Sequence, residues 1–174
     1  YIFDNNIPSV MPFVDFLKND SLNIRLMTYN VLSNGLISSN RVDEHRRIFE
    51  SANADIITLQ ECGGTTVNDV LSFLNTINLS YPYIYTYTTS GNITISRYPS
   101  IQSWLVDDNA MHQRIDADLI DLPDSIYETD ILIVNSHIKC CGNNQSRQAS
   151  LDAFIEFVQD AKTIGGMIDL PFNT

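Results

Sequence analysis

Residues 131–147 read I-L-I-V-N-S-H-I-K-C-C-G-N-N-Q-S-R. The opening run of Ile, Leu and Val has the pattern of a strand buried on both faces. It finishes in Asn135, Ser136 and His137, and a Gly/Asn-rich loop then leads into a long helical pattern. Strand ends are where open α/β sheets gather their chemistry, so a polar triplet at that position points to a site. A histidine satisfied by a backbone carbonyl is the plainer alternative.

Two earlier strands end in the same way. Residues 23–31, N-I-R-L-M-T-Y-N-V, predict a strand with Ile24, Leu26 and Thr28 on one face, stopping at Asn30 before a Ser33-Asn34-Gly35 turn. Residues 55–60, D-I-I-T-L-Q, predict a buried strand that delivers Glu61 and Cys62 just ahead of Gly63-Gly64. Between them, Val42, His45, Ile48, Phe49 and Ala52 recur at helical spacing, with Ser38, Ser39 and Asn40 as candidate caps. Thr66 and Asp69 resemble a capping box with Asp in place of Glu, opening a helix whose stripe is Val67, Val70, Leu71 and Leu74.

From Tyr81 the pattern shortens to strands at 83–88, 93–96, 101–106, 115–122 and 130–137, punctuated by Gly91, Pro99, Asp107-Asp108-Asn109 and Pro123-Asp124. Two β-α units followed by an antiparallel meander give a mixed α/β class with one mixed sheet. Leu151, Phe154, Ile155 and Val158 mark the apolar face of a last helix, stopped by Gly165-Gly166. Residues 1–22 are a lead-in with room for one short helix.

Composition sets the limits. The chain has 174 residues, 44% of them hydrophobic, enough for one domain with a sizeable core. Ten Lys+Arg against 21 Asp+Glu give a net charge of −11, which argues against tight non-specific binding of duplex DNA unless bound cations reverse the local sign. Cys62, Cys140 and Cys141 fit neither a zinc-site spacing nor a disulfide-rich scaffold. They lie beside the polar strand ends, so a Cys62 bridge to Cys140 or Cys141 is one expectation and three free thiols the other. No apolar run approaches a bilayer span. A start at Tyr1 fits either a piece of a longer chain or a processed one, the latter leaning to a secreted or periplasmic location.

A carboxylate placed by a buried strand calls for a cation or for donors. Mg²⁺ suits one or two carboxylates, waters and phosphate oxygens. An amide such as Asn30 adds no charge, and His137 is suited to acid–base work near neutral pH.

With these residues in view, M-T-Y-N-V (27–31), D-I-I-T-L-Q-E-C (55–62), G-N-I-T-I-S-R-Y-P (91–99) and V-N-S-H-I-K (134–139) resemble, in order, motifs of the endonuclease/exonuclease/phosphatase superfamily. That group includes deoxyribonuclease-like and neutral sphingomyelinase-like enzymes. The resemblance implies a four-layered α/β/β/α sandwich, here incomplete (the first sheet and its helices), and Mg²⁺-dependent phosphoester hydrolysis, with Mn²⁺ as a substitute. It implies Glu61 and Asn30 as metal-site residues, His137 and Asn30 as catalytic, and Arg114 and Asn135 as substrate contacts. Arg147 matches an arginine common near the last helix. A plain strand salt bridge for Arg114 and a surface charge for Arg147 are the alternatives.

The sequence also departs from the family. The later Asp-x-Asn strand and terminal Asp-His pair have no counterpart, so residues 23–174 are expected to be the N-terminal portion of such a domain. Standing against the hydrolase reading are a non-catalytic binding or structural module completed by another chain, with association through an exposed sheet face, and a generic α/β domain. Acidity favours a small phosphoester or lipid headgroup over duplex DNA.

Overall fold

The computed structural model describes residues 22–33, 35–38, 40–77, 83, 85–88, 91–110, 113–166 and 168. Residues 1–21 of the lead-in lie outside them.

Strand β1 (Leu26–Asn30) runs parallel to β2 (Ile56–Gln60) through helix α1 (Val42–Ala52). Helix α2 (Val67–Leu74) precedes β3 (Tyr85–Thr88) and β4 (Ile93–Ser96), which complete a four-stranded sheet in the order β1-β2-β4-β3. Here the single-sheet expectation fails. The chain leaves this sheet after Ser96, and β5 (Ser100–Ala110), β6 (Gln113–Ile120) and β7 (Ile131–His137) form a second, antiparallel sheet in the order β5-β6-β7. Helix α3 (Asn144–Ala161) packs on its outer side, where Trp104 and Phe157 meet edge-to-face at 5.8 Å. The architecture is a mixed α/β sandwich of two sheets, not the first sheet alone.

The sheet faces explain the layers. Leu59, Ile57, Ile93 and Ile95 form one cluster with Phe49 of α1 and Val70, Phe73 and Leu74 of α2. Ile56 turns the other way, against Ile120 and Ile133 of the second sheet. Pairing of Leu26 with Ile56 and of Thr28 with Thr58 puts Leu26 and Thr28 on that same inner side of β1, yet both are exposed, Leu26 by 54%. Strand β7 is less buried than its sequence suggests: only Ile133 and Asn135 are covered, because it pairs with β6 alone.

Local signals are mixed in their accuracy. The Thr66–Asp69 capping box is present in both directions, and its hydrogen bonds lower the Asp69 pKa. Helix α1 has Arg41 at its N-cap with no side-chain cap bond, so neither Ser38 nor Asn40 caps it, and Ser39 lies outside the described residues. Helix α3 buries Ser150, Phe157 and Ala161 and leaves Leu151 and Ile155 exposed. Its apolar residues wrap too far around the helix for spacing alone to choose the face.

His45 is the polar residue of α1 that goes inside. Its ring meets Tyr29 at 5.6 Å and approaches Gly35, where even a Cβ would lie 3.4 Å from Nε2 and 3.0 Å from an Arg41 nitrogen. Neither ring nitrogen meets a hydrogen-bond partner in good geometry. Burial first, then the Arg41 charge, holds its pKa below the usual range, against weaker opposing effects of the Gly35 backbone and Glu44. A depressed folded pKa means that the unfolded chain takes the proton more readily. The stability that His45 contributes is therefore complete above its unfolded pKa of about 6.5 and is lost as pH falls through the lower folded value. Urea midpoints followed downward from neutrality should drop for the wild type and flatten for His45→Leu; parallel curves would remove this assignment.

Candidate active site at the Glu61 strand end

The parallel register aligns Asn30 with Gln60, so the residue after β2, Glu61, emerges beside the end of β1. Three residues here take positive φ without being glycine: Leu32 at 52°, Ser33 at 51° and Glu61 at 60°. Such conformations cost about 1–3 kcal/mol each and persist where surrounding structure enforces them. What they achieve is local: the turn aims two backbone N–H groups back at the strand ends. Leu32 N donates to Asn30 Oδ1 at 2.9 Å, and Ser33 N donates to Glu61 Oε2 at 3.0 Å. Asn30 Nδ2 donates to Glu61 Oε1 at 3.0 Å. From the other sheet, His137 Nε2 lies 3.5 Å from the same oxygen. Glu61 and His137 side chains are each about a quarter exposed, open to a ligand yet partly shielded from water.

The structure thus brings Asn30, Glu61 and His137 together. Ser33 is an addition that the sequence showed only as a turn. The Glu61 carboxylate is the hard oxygen donor of this cluster, the donor type that Mg²⁺ takes. Among the described residues no group of three or more His, Cys, Asp or Glu side chains is arranged to hold a metal. Asn30 presents its N–H₂ to the carboxylate while its oxygen accepts from Leu32 N, so the amide orients Glu61.

Asn135 is the clearest correction. It is 1% exposed, accepts from Gln60 Nε2 at 2.8 Å, and donates to Leu59 O at 3.1 Å and Ile93 O at 3.2 Å. Its amide ties the two sheets and is not available to a substrate. Asn92 Nδ2 extends this seam to Asp116 Oδ2 and Asn135 O, at 3.0 and 3.2 Å. Arg114 pairs across the strands with His137, and its guanidinium donates to Asp108, the salt-bridge alternative. Arg147 likewise serves the fold: it donates to the carbonyls of Lys139 and Cys141 and to Asn144 Oδ1, holding the loop that follows His137.

All three cysteines are free thiols, so the Cys62 bridge does not form. Cys62 is buried in the first sheet's cluster with its sulfur toward Gln60 O, whereas Cys140 and Cys141 are exposed.

No protein-family profile matches the chain, and no curated protein matches it. Solved structures do. TDP2 of D. rerio, complexed with a single-strand DNA product, superposes with a TM-score of 0.58 at 16% identity, covering 79% of this chain and 55% of that one. Truncated TDP2 of Caenorhabditis elegans gives 0.59 at 15%, covering 81% and 57%. A conserved protein of unknown function from Enterococcus faecalis gives 0.57 at 13%, covering 78% and 60%. At such identities the likeness establishes the fold, and this chain spans little more than half the length of these neighbours. Among the described residues no helix is long and apolar enough to cross a membrane.

Proposed function

We propose that this chain, which has the deoxyribonuclease-like fold of the endonuclease/exonuclease/phosphatase superfamily, carries one half of the site of a divalent-metal-dependent phosphoester hydrolase. The observation that carries this reading is the convergence of Glu61, Asn30 and His137 from two sheets on one strained strand end. Glu61 would hold Mg²⁺ or Mn²⁺, which would neutralise charge on a bound phosphate. Asn30 Nδ2 and Ser33 N fix the carboxylate, so its orientation is set before the ion arrives. His137, against the same carboxylate, is placed to donate or accept a proton near neutral pH.

Residues that work as a unit fail as a unit. With one metal-site carboxylate and one histidine, these 174 residues alone are expected to bind the ion weakly and to turn over phosphoesters poorly. Net charge favours a small phosphoester or lipid headgroup. A second substrate reading, a single-stranded nucleic-acid end, is favoured by the DNA product held by D. rerio TDP2. Exposure of Leu26 on the inner side of β1 favours the separate reading of a module that another polypeptide completes.

Calorimetric titration with Mg²⁺ and Mn²⁺ tests the metal site. We expect saturable binding that Glu61→Gln weakens at least about tenfold, in line with the loss of about 1.4 kcal/mol per decade, with the thermal transition unchanged. Binding that ignores Glu61 would end the hydrolase reading.

A further inference from the structure

The loop after His137 carries chemistry that the hydrolase reading does not use. Cys140 and Cys141 are neighbours in sequence, both exposed, and their sulfurs are 3.2 Å apart, with the Cys141 thiol donating to the Cys140 sulfur. Adjacent cysteines need not face one another. Here the turn makes them do so: Cys141 takes φ 65°, Asn143 N bonds back to Cys141 O at 3.0 Å, and Arg147 grips the carbonyls on either side of Cys140.

We propose that Cys140 and Cys141 form a redox modification site, a vicinal dithiol that low-molecular-weight disulfides close reversibly into a ring. The Cys140 thiolate, with the Cys141 thiol 3.2 Å away, attacks one sulfur of RS–SR and releases RS⁻. The Cys141 thiolate then attacks the Cys140 sulfur of the mixed disulfide, forming the Cys140–Cys141 bond and releasing a second RS⁻. Two protons and two electrons leave the protein, and the reagent is reduced to two thiols. Adjacent Cα atoms are about 3.8 Å apart, below the roughly 4.4–6.8 Å usual for disulfides, so the ring is strained and easily reopened.

Cys62 is the internal control. It is 1% exposed with the sulfur turned toward Gln60 O, out of reach of a dissolved disulfide.

Oxidised glutathione is the probe. The full chain is treated under native conditions, alkylated in denaturant and digested with trypsin, whose cuts after Lys139 and Arg147 isolate C-C-G-N-N-Q-S-R and leave Cys62 on another peptide. We expect the dicysteine peptide to be two hydrogens lighter, restored by a dithiol reductant, with Cys62 fully alkylated. Cys62→Ser should leave ring closure intact, and Cys141→Ser should stop at one glutathione on Cys140. Glutathione retained on both cysteines, a cross-link to Cys62 or to a second copy, or failure of Cys141→Ser to trap the adduct would each overturn the proposal. Because no metal or phosphoester enters this experiment, its result is independent of the hydrolase reading.

Discussion

Arg97→Met should cost the fold about 3–5 kcal/mol, the penalty for stranding one member of a buried ion pair. Arg97 and Asp55 are 9% and 4% exposed and lie 3.1 Å apart. They sit at the end of the first sheet opposite Glu61, and the cluster joins several elements there. Arg97 Nη2 donates to Asn53 Oδ1 at 2.6 Å, Asp55 Oδ2 accepts from Arg25 N at 2.8 Å, and the Arg97 guanidinium stacks on the Tyr83 ring at 5.3 Å. Removing the cation leaves a carboxylate in a site with little water to solvate it. Against a total stability of about 5–15 kcal/mol for a typical domain, that loss takes a large share. Replacing both partners with apolar residues should recover part of it, since the second charge is then no longer stranded. Urea unfolding of the two single variants and the double variant reads this directly. A double variant whose loss equals the sum of the singles would show that the pair does not act as one.

Asn135→Asp is the second large effect, and it carries a pH signature. The wild-type amide donates to Leu59 O and Ile93 O; a carboxylate offers no donor and sets a negative charge against both carbonyls. Each lost buried bond costs on the order of 1–3 kcal/mol, and the charge adds to that. The folded pKa of the new acid must therefore lie above its unfolded value of about 3.9. A raised folded pKa makes the protonated form the native one, so stability falls as pH rises from the unfolded pKa through the folded one. The variant should be least damaged in mild acid and worst at neutrality. A loss that does not vary with pH between these limits would show that the side chain had rotated to water, and that Asn135 does not tie the sheets.

These two clusters also show where reading the sequence stops. Glu61, Asn30 and His137 were legible because each follows an apolar strand in a polar group, and strand ends converge when strands are parallel or face one another. The parallel pairing of β1 with β2, through α1, was legible for the same reason. The switch between sheets at residues 97–99 was not: β4 and β5 look alike in alternation, and which sheet a strand joins is decided by what packs on it. Asn135 suffered from that. Its neighbour His137 faces the site, and nothing local distinguishes an asparagine aimed at a ligand from one 76 residues away from its carbonyl partner in the opposite sheet. The Arg97–Asp55 pair, 42 residues apart, is invisible for the same reason.

That long separation also bears on the order of folding. Most pairings within each sheet are hairpin-like or span one helix, whereas the bonds from Asn135 to Leu59 and from Gln60 to Asn135 close loops of 76 and 75 residues. Contacts that close long loops must recoup a large ordering entropy before they contribute. Each sheet should therefore assemble on its own before the amide seam engages, late and on the native side of the barrier. Interactions absent from a transition state govern escape from the native state, not arrival at it. Loosening the seam should leave the refolding limb of a chevron nearly where it was and lift the unfolding limb, making the amide of Asn135 a determinant of the native state's lifetime.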